Sequence, residues 1–236
     1  MCGRFAVTMT RSEIAGEYDI TIDMVDPRWE PAWTVAPQQL GPLIHARPAV
    51  DGGAPVRRLE TTKWGFETAW MKPGQPRPIN SRIEKLTGGM WRGALNGARA
   101  AVPMSGYVEF YTAEDGKKTP VFLHSDRPLL AAALYAGKQD ETGQWQHTFS
   151  IVTRTARDHS GEIHDRMPCF IDQRSPFLDH WLSPERPENP QGLVDELTAE
   201  SEKIAPTLTS YEISRRFNNT RTARRDDSTL LDPVAD

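Results

Sequence analysis

Residues Pro103–Lys118 read PMSGYVEFYTAEDGKK, and this stretch decides the fold class. Tyr107, Glu109 and Tyr111 alternate with Val108 and Phe110, the period of two that belongs to a β-strand. Asp115-Gly116, inside Ala113–Lys118, supplies the turn of a hairpin. Working outward, further strands are expected at 120–124, 129–135 and 147–153, and shorter ones at Leu43–His45 and Val56–Glu60 around a turn at Gly52-Gly53. Thr10 and Glu13 form a capping box that starts a helix running to about Tyr18. Residues 82–98 are compatible with a helix interrupted by Gly88 and Gly89, Ser175-Pro176 opens a short helix through Leu182, and 192–203 is a surface helix. The segment 26–42, with Pro27, Pro31, Pro37 and Pro42, reads as extended and winding. The sum is an α+β fold: a single domain over residues 1–222 with a largely antiparallel, barrel-like β core flanked by helices. The charged tail, residues 223–236, is expected to be loose.

Composition narrows the class of protein. The 236 residues are 38% hydrophobic and 25% charged, near globular averages, which excludes wholesale disorder, collagen-like chains and coiled coils. No apolar run reaches the roughly 18 residues of a membrane helix, and the start MCGRFAVTMTRSEIAGEY lacks the apolar centre of a signal peptide, so a cytoplasmic protein is expected. The net charge of −4 argues against coating nucleic acid through bulk charge but leaves room for a local basic groove. Cys2 and Cys169 read as free thiols. Neither CxxC nor HExxH occurs, and His45, His124, His147, His159, His164 and His180 show no ligand spacing along the chain, so neither metal nor cofactor is expected. There is no phosphate-binding glycine loop and no regular βαβ alternation, which removes the nucleotide-binding folds.

Several residues can carry chemistry. Cys2 follows the initiator methionine, so loss of Met1 would place an α-amine and a thiol on one residue. With ordinary pKa values of about 8 and about 8.5, both are nucleophilic near neutrality. Such a pair captures an aldehyde: the amine forms an imine and the thiol closes a five-membered thiazolidine, with the advantage of any intramolecular step. The plain alternative is a second residue of a structured terminus. Glu109, on the Tyr107/Tyr111 face of its strand, would have its pKa raised by enclosure and suit proton transfer; the alternative is a solvated face. His164 in GEIHDRMP suits a loop that presents side chains, and Asn80 in RPINSRIE shares a side with Arg82 and Glu84 if that segment is extended. Trp64 and Trp70 can stack on bases or fill the core. Arg215, Arg216, Arg221, Arg224 and Arg225 form the densest positive run, usable for phosphates or simply solvated.

Taken together, MCGRF (Met1–Phe5), VAP (Val35–Pro37), WG (Trp64-Gly65), INSRIE (Ile79–Glu84), P-x-x-G-Y-x-E (Pro103–Glu109), IVT (Ile151–Thr153), IHDRMP (Ile163–Pro168) and ISR (Ile213–Arg215) resemble, in order, the SRAP family of SOS response-associated peptidases. The resemblance implies a protein that removes its own Met1 and crosslinks through Cys2 to the aldehyde of an abasic site in single-stranded DNA, protecting the lesion during repair. Cys2 matches the catalytic cysteine, Asn80 the asparagine that holds the terminal residue and the sugar, Glu109 the acid/base, and His164 the histidine assisting ring opening and turnover. Arg4, Arg82 and Arg166 match arginines that grip phosphates, Trp70 an aromatic against a base, and Asn219 a DNA-contacting asparagine. It further implies a monomer needing no metal, cytoplasmic and associated with the bacterial nucleoid during DNA damage. The chain departs from the family pattern at Thr34, Met71, Gly88-Gly89, Val108 and Phe110, which bears on affinity rather than on the reacting set. Two other readings remain open at this point: a thiol hydrolase acting in trans with His164 as base, and a non-catalytic single-strand-binding module.

Overall fold

A computed structural model describes residues 2–72 and 74–234. The first half of the chain contains β1 (Phe5–Val7), α1 (Arg11–Glu17), β2 (Ile22–Met24), β3 (Ala32–Val35), β4 (Leu40–Arg47), β5 (Val56–Trp64), β6 (Asn80–Arg82) and α2 (Arg92–Leu95). The second half contains β7 (Arg99–Thr112), β8 (Lys118–Gln139), β9 (Trp145–Thr155), α3 (Asp158–Ile163), β10 (Arg166–Pro168), α4 (Phe177–Leu182), α5 (Pro190–Ile204) and β11 (Thr209–Glu212). The strands join one sheet whose main path runs β11-β8-β9-β5-β4-β7-β1-β3, with β10 and β6 paired to β9 and β2 to β5, and an additional β7–β8 pairing closes β8, β9, β5, β4 and β7 into a ring. The ring is not a regular barrel. Most pairings are antiparallel, but β2–β5, β5–β9 and β6–β9 are parallel.

The alternation that identified β7 also divides the molecule into two cores. Phe5, Val7 and Tyr107 face the large core, whereas Ala6 and Val108 face a smaller one with Phe122, Ile213, Phe217, Leu230 and Leu231. A strand with apolar residues on both faces must be covered twice. The second cover is the segment after β11, so residues 223–234 are not the loose tail expected from their charge. Leu230 is buried in a 3₁₀ turn at Ser228–Leu231, the Trp33 N–H donates to the Arg225 carbonyl (2.9 Å), and Ile213 bridges to Pro233. Two leucines spaced to dock on that face outweigh the charge around them. The basic run is engaged here as well: Arg215 pairs with Asp115, Arg216 with Asp227 (3.5 Å) and Arg224 with Asp226 (2.7 Å).

Other expectations hold with shifted bounds. The Thr10–Glu13 capping box is formed and opens α1, and α5 starts at Pro190 behind the Asn189 N-cap. The strands expected at 120–124 and 129–135 are one long strand, β8, and the winding segment contains the edge strand β3 between Pro31 and Pro37. Pro is tolerated at an edge because no ladder partner lacks its N–H there. Residues 82–98 are mostly not helical: β6 occupies the first position, short 3₁₀ turns follow, and only α2 is α-helical. Gly106 sits at the register shift in β7, where a Cβ would lie 2.4 Å from the Phe122 ring and 2.5 Å from the Leu123 carbonyl oxygen, so only glycine fits. No helix among the described residues is long and apolar enough to cross a membrane.

Candidate active site

Three of the sequence motifs meet on one strand. In β9, Ile151, Val152 and Thr153 pair with Asn80, Ser81 and Arg82 of β6 on one side, and Thr153 and Thr155 pair with Pro168 and Arg166 of β10 on the other. This brings the INSRIE and IHDRMP segments to the two edges of the IVT segment. The amino-terminal segment is laid down by β1, whose Phe5 pairs with Tyr107 while the Val108 N–H donates to the Arg4 carbonyl (2.9 Å). That pairing carries Cys2 toward Glu109.

Cys2 is fully buried, and its Sγ–H donates to the Arg4 carbonyl at 3.7 Å. Its own carbonyl accepts from Asn80 Nδ2 at 2.8 Å, which leaves Asn80 Oδ1 buried with no hydrogen-bond partner. Burial pushes the Cys2 thiol well above its ordinary range, and the negative charge of Glu109 adds to that. The thiol is therefore protonated at neutral pH.

Glu109 is 3% exposed. Burial raises its carboxyl to about 7, against the pull of the positive amino terminus, with Asp165 adding a smaller upward push. A carboxyl group at that value can both take and give a proton near neutrality. His164 Nε2 lies 4.0 Å from Glu109 Oε2. Its Nδ1 accepts the Arg166 backbone N–H (3.0 Å), and burial lowers the ring's pKa, so the neutral ring carries its proton on Nε2, toward Glu109. Asp165 Oδ1, 2.7 Å from Nδ1, would gain a hydrogen only when the ring is doubly protonated. Tyr107, buried on the same face of β7, donates to or accepts from Ser160 Oγ (3.0 Å), and burial pushes its hydroxyl well above its ordinary range.

Cys2, Asn80, Glu109 and His164 are thus brought together in one place. The expected phosphate-gripping arginines divide. Arg4 is buried, donates to Thr34 Oγ1 (3.2 Å) and the Phe217 carbonyl (3.3 Å), and packs over the Phe217 ring at 5.1 Å. Arg166 is clamped by both carboxylate oxygens of Glu84 (2.7 and 3.1 Å) and by the Thr153 carbonyl (2.6 Å). Arg82 is exposed. Trp70 is exposed in the β5–β6 connection, and Asn219 spends its Oδ1 on the Arg221 N–H (3.1 Å) within its own turn. Trp64 is a core residue, fully buried, with its indole N–H on the Ile79 carbonyl (2.8 Å). Of the departures, Thr34 is the acceptor for Arg4, and Val108 lies in the small core. Missed by sequence reasoning were the Glu84 clamp and the Tyr107–Ser160 pair, both made between segments distant in the chain.

The family model for the SOS response associated peptidase (SRAP) matches residues 1–220. The chain is 26% identical over 229 residues to the abasic site processing protein YoaM of Bacillus subtilis, covering 93% of each. It is 27% identical over 240 residues to the abasic site processing protein YedK of Escherichia coli, covering 99% of this chain and 100% of that one. Among solved structures, a protein from Bacteroides thetaiotaomicron superposes with a TM-score of 0.73 at 19% identity, covering 99% of this chain and all of the other, which shows a shared fold.

Proposed function

Because the chain belongs to the SRAP family, we propose that it processes abasic sites in DNA by covalent capture, with Cys2 as the reacting residue. The observation that carries this reading is the Asn80 clamp. Its Nδ2 fixes the Cys2 backbone at 2.8 Å, and its buried Oδ1 is left for a group that arrives with the substrate, such as a sugar hydroxyl or the freed amine. Glu109 lies near enough to Cys2 to raise the thiol's pKa.

In this reading hydrolysis of the Met1–Cys2 peptide bond frees the Cys2 amine; Met1 itself lies outside the described residues. The amine attacks the C1′ aldehyde of the opened sugar, and the carbinolamine loses water to give an imine. Glu109, near 7, protonates the departing hydroxyl. The Cys2 thiol then adds to the imine carbon, its proton passing to nitrogen, so aldehyde and aminothiol become a thiazolidine and one water. A protonated buried thiol suits this sequence, because the amine acts first and the thiol is needed only once the imine stands beside it. Neutral His164, with its proton directed at Glu109, serves ring opening and turnover.

The substrate in this reading is single-stranded DNA. A lesion without a base has no pairing to break on its way to a pocket, and the exposed Arg82, Trp70 and Asn219 offer a phosphate contact, a stacking surface and a polar contact. The chain acts as a monomer without metal in the reaction and works on DNA in the cytoplasm. Incubation with an oligonucleotide bearing one abasic site, followed by a denaturing gel without reductant, tests the reading. A shifted band supports it; turnover of unrelated peptides would identify a thiol hydrolase, and a complex that vanishes on denaturation a binding module. Intact mass of the purified protein reports Met1 removal.

A further inference from the structure

A second cluster of histidine and carboxylate lies on β4, β5 and β9, built from residues outside the Cys2 cluster. His45 Nε2 and His147 Nδ1 both converge on Glu60 Oε1, at 3.1 and 2.8 Å, and the three ligand atoms lie within 4.8 Å of one another. We propose that His45, Glu60 and His147 form a binding site for a divalent transition-metal ion of the zinc class, which staples the three strands together.

Four observations carry this. A tetrahedral zinc with bonds of about 2.0–2.1 Å spaces its ligand atoms about 3.3 Å apart, close to the 3.1 and 2.8 Å that separate Glu60 Oε1 from the two ring nitrogens. His45 is 2% exposed, yet neither ring nitrogen has a hydrogen-bond partner, even with Glu60 Oε1 only 3.1 Å from Nε2. Buried polar atoms are normally satisfied, and a metal on Nε2 would satisfy one of them. Glu60 presents one oxygen, Oε1, to both rings from a side chain that is only 12% exposed. Finally, Gly137 faces His147 across β8–β9, and a Cβ there would lie 3.0 Å from His147 Cδ2 and 3.3 Å from Nε2, close enough to press on the ring. Tyr135 packs on both rings, with centroids 5.0 and 5.3 Å away, and excludes water from one side. His147 keeps 15% of its side chain exposed, which is the way in and the place for a water as fourth ligand.

The test uses the full chain, stripped with chelator and titrated with Co²⁺, whose tetrahedral complexes absorb visibly and are bleached by Zn²⁺. We expect one equivalent to bind and Zn²⁺ to raise the melting temperature. His147→Gln should weaken the affinity at least about 100-fold, since even partners one shell further out are worth roughly 10–100-fold. His124, His159 and His180 remain in that variant, so equal Co²⁺ spectra in wild type and His147→Gln would identify adventitious surface binding and overturn the proposal. Absence of tetrahedral Co²⁺ bands in the wild type would also overturn it. Should His147→Gln fold poorly by circular dichroism, Gly137→Ala serves instead: it leaves all three ligands but crowds the ring, and undiminished affinity there counts against the site.

Discussion

Two glutamates stand beside histidines, Glu109 buried and Glu60 half-buried, and their pKa values move in opposite directions. Glu109, 4.0 Å from His164, is lifted to about 7; Glu60, 2.8 Å from His147 and 3.1 Å from His45, is held at about 2. Burial is the largest influence on both and raises both. At Glu60 the hydrogen bond from His147 and the closeness of the His45 ring overcome it, while at Glu109 the His164 ring stands about an ångström further away. Burial therefore does not decide what a carboxylate is for. One arrangement leaves a proton that can move near neutral pH; the other leaves a fixed anion suited to holding a cation.

The largest effect that would break this contrast is at Cys2. Cys2→Ala should abolish the heat-stable crosslink, and inserting one alanine between Met1 and Cys2 should do nearly the same. In the insertion the terminal amine survives, but the thiol belongs to the next residue and the five-membered ring cannot close. An adduct trapped only by borohydride is expected; a reductant-free crosslink at wild-type yield would sink the ring chemistry. Next in size, Glu109→Gln should keep the fold and slow crosslinking roughly 10²–10⁴-fold, the range of a positioned acid or base. The wild-type rate should show an inflection near pH 7 that the variant lacks.

Stability against pH sharpens the comparison directly. A carboxyl whose pKa is higher folded than unfolded adds stability that is present below about 4.5 and lost as pH rises to about 7, which is the case of Glu109, about 3 kcal/mol in all. Glu60 behaves oppositely: its contribution is present above about 4.5 and lost as pH falls toward 2. Denaturant melts should thus show Glu109→Gln gaining on wild type as pH climbs from about 5 to about 8, and Glu60→Gln losing ground on wild type as pH climbs from about 2 to about 5. Parallel curves for either variant would mean that its carboxyl does not titrate as described.

Smaller effects are expected further out. His164→Ala should change the rate of crosslink formation or release by less than the roughly 100-fold of a directly positioned group, because it stands 4.0 Å from Glu109; unchanged rates in both directions would return it to a structural role. Trp70→Ala, at a side chain 65% exposed, should leave stability within about 0.5 kcal/mol while weakening single-stranded DNA binding by about 1–3 kcal/mol. Fluorescence anisotropy with an abasic oligonucleotide reads that difference.

What the sequence determined by itself was local or motif-borne. Period-two alternation located β7 and put Glu109 on the enclosed Tyr107 face, the capping box placed α1, and the ordered motifs identified the family. These succeed because their physics is short in range: a strand's faces follow from neighbours two apart, and a cap from residues three apart. Only the tertiary structure decided the rest. Arg166 is clamped by Glu84, the charged segment after Thr222 docks as a second core, and His45, Glu60 and His147 converge although no spacing along the chain relates them. Each of these depends on a contact between strands or loops far apart in sequence. The burial and pairing that set a side chain's charge exist only once the ring of β8, β9, β5, β4 and β7 has closed.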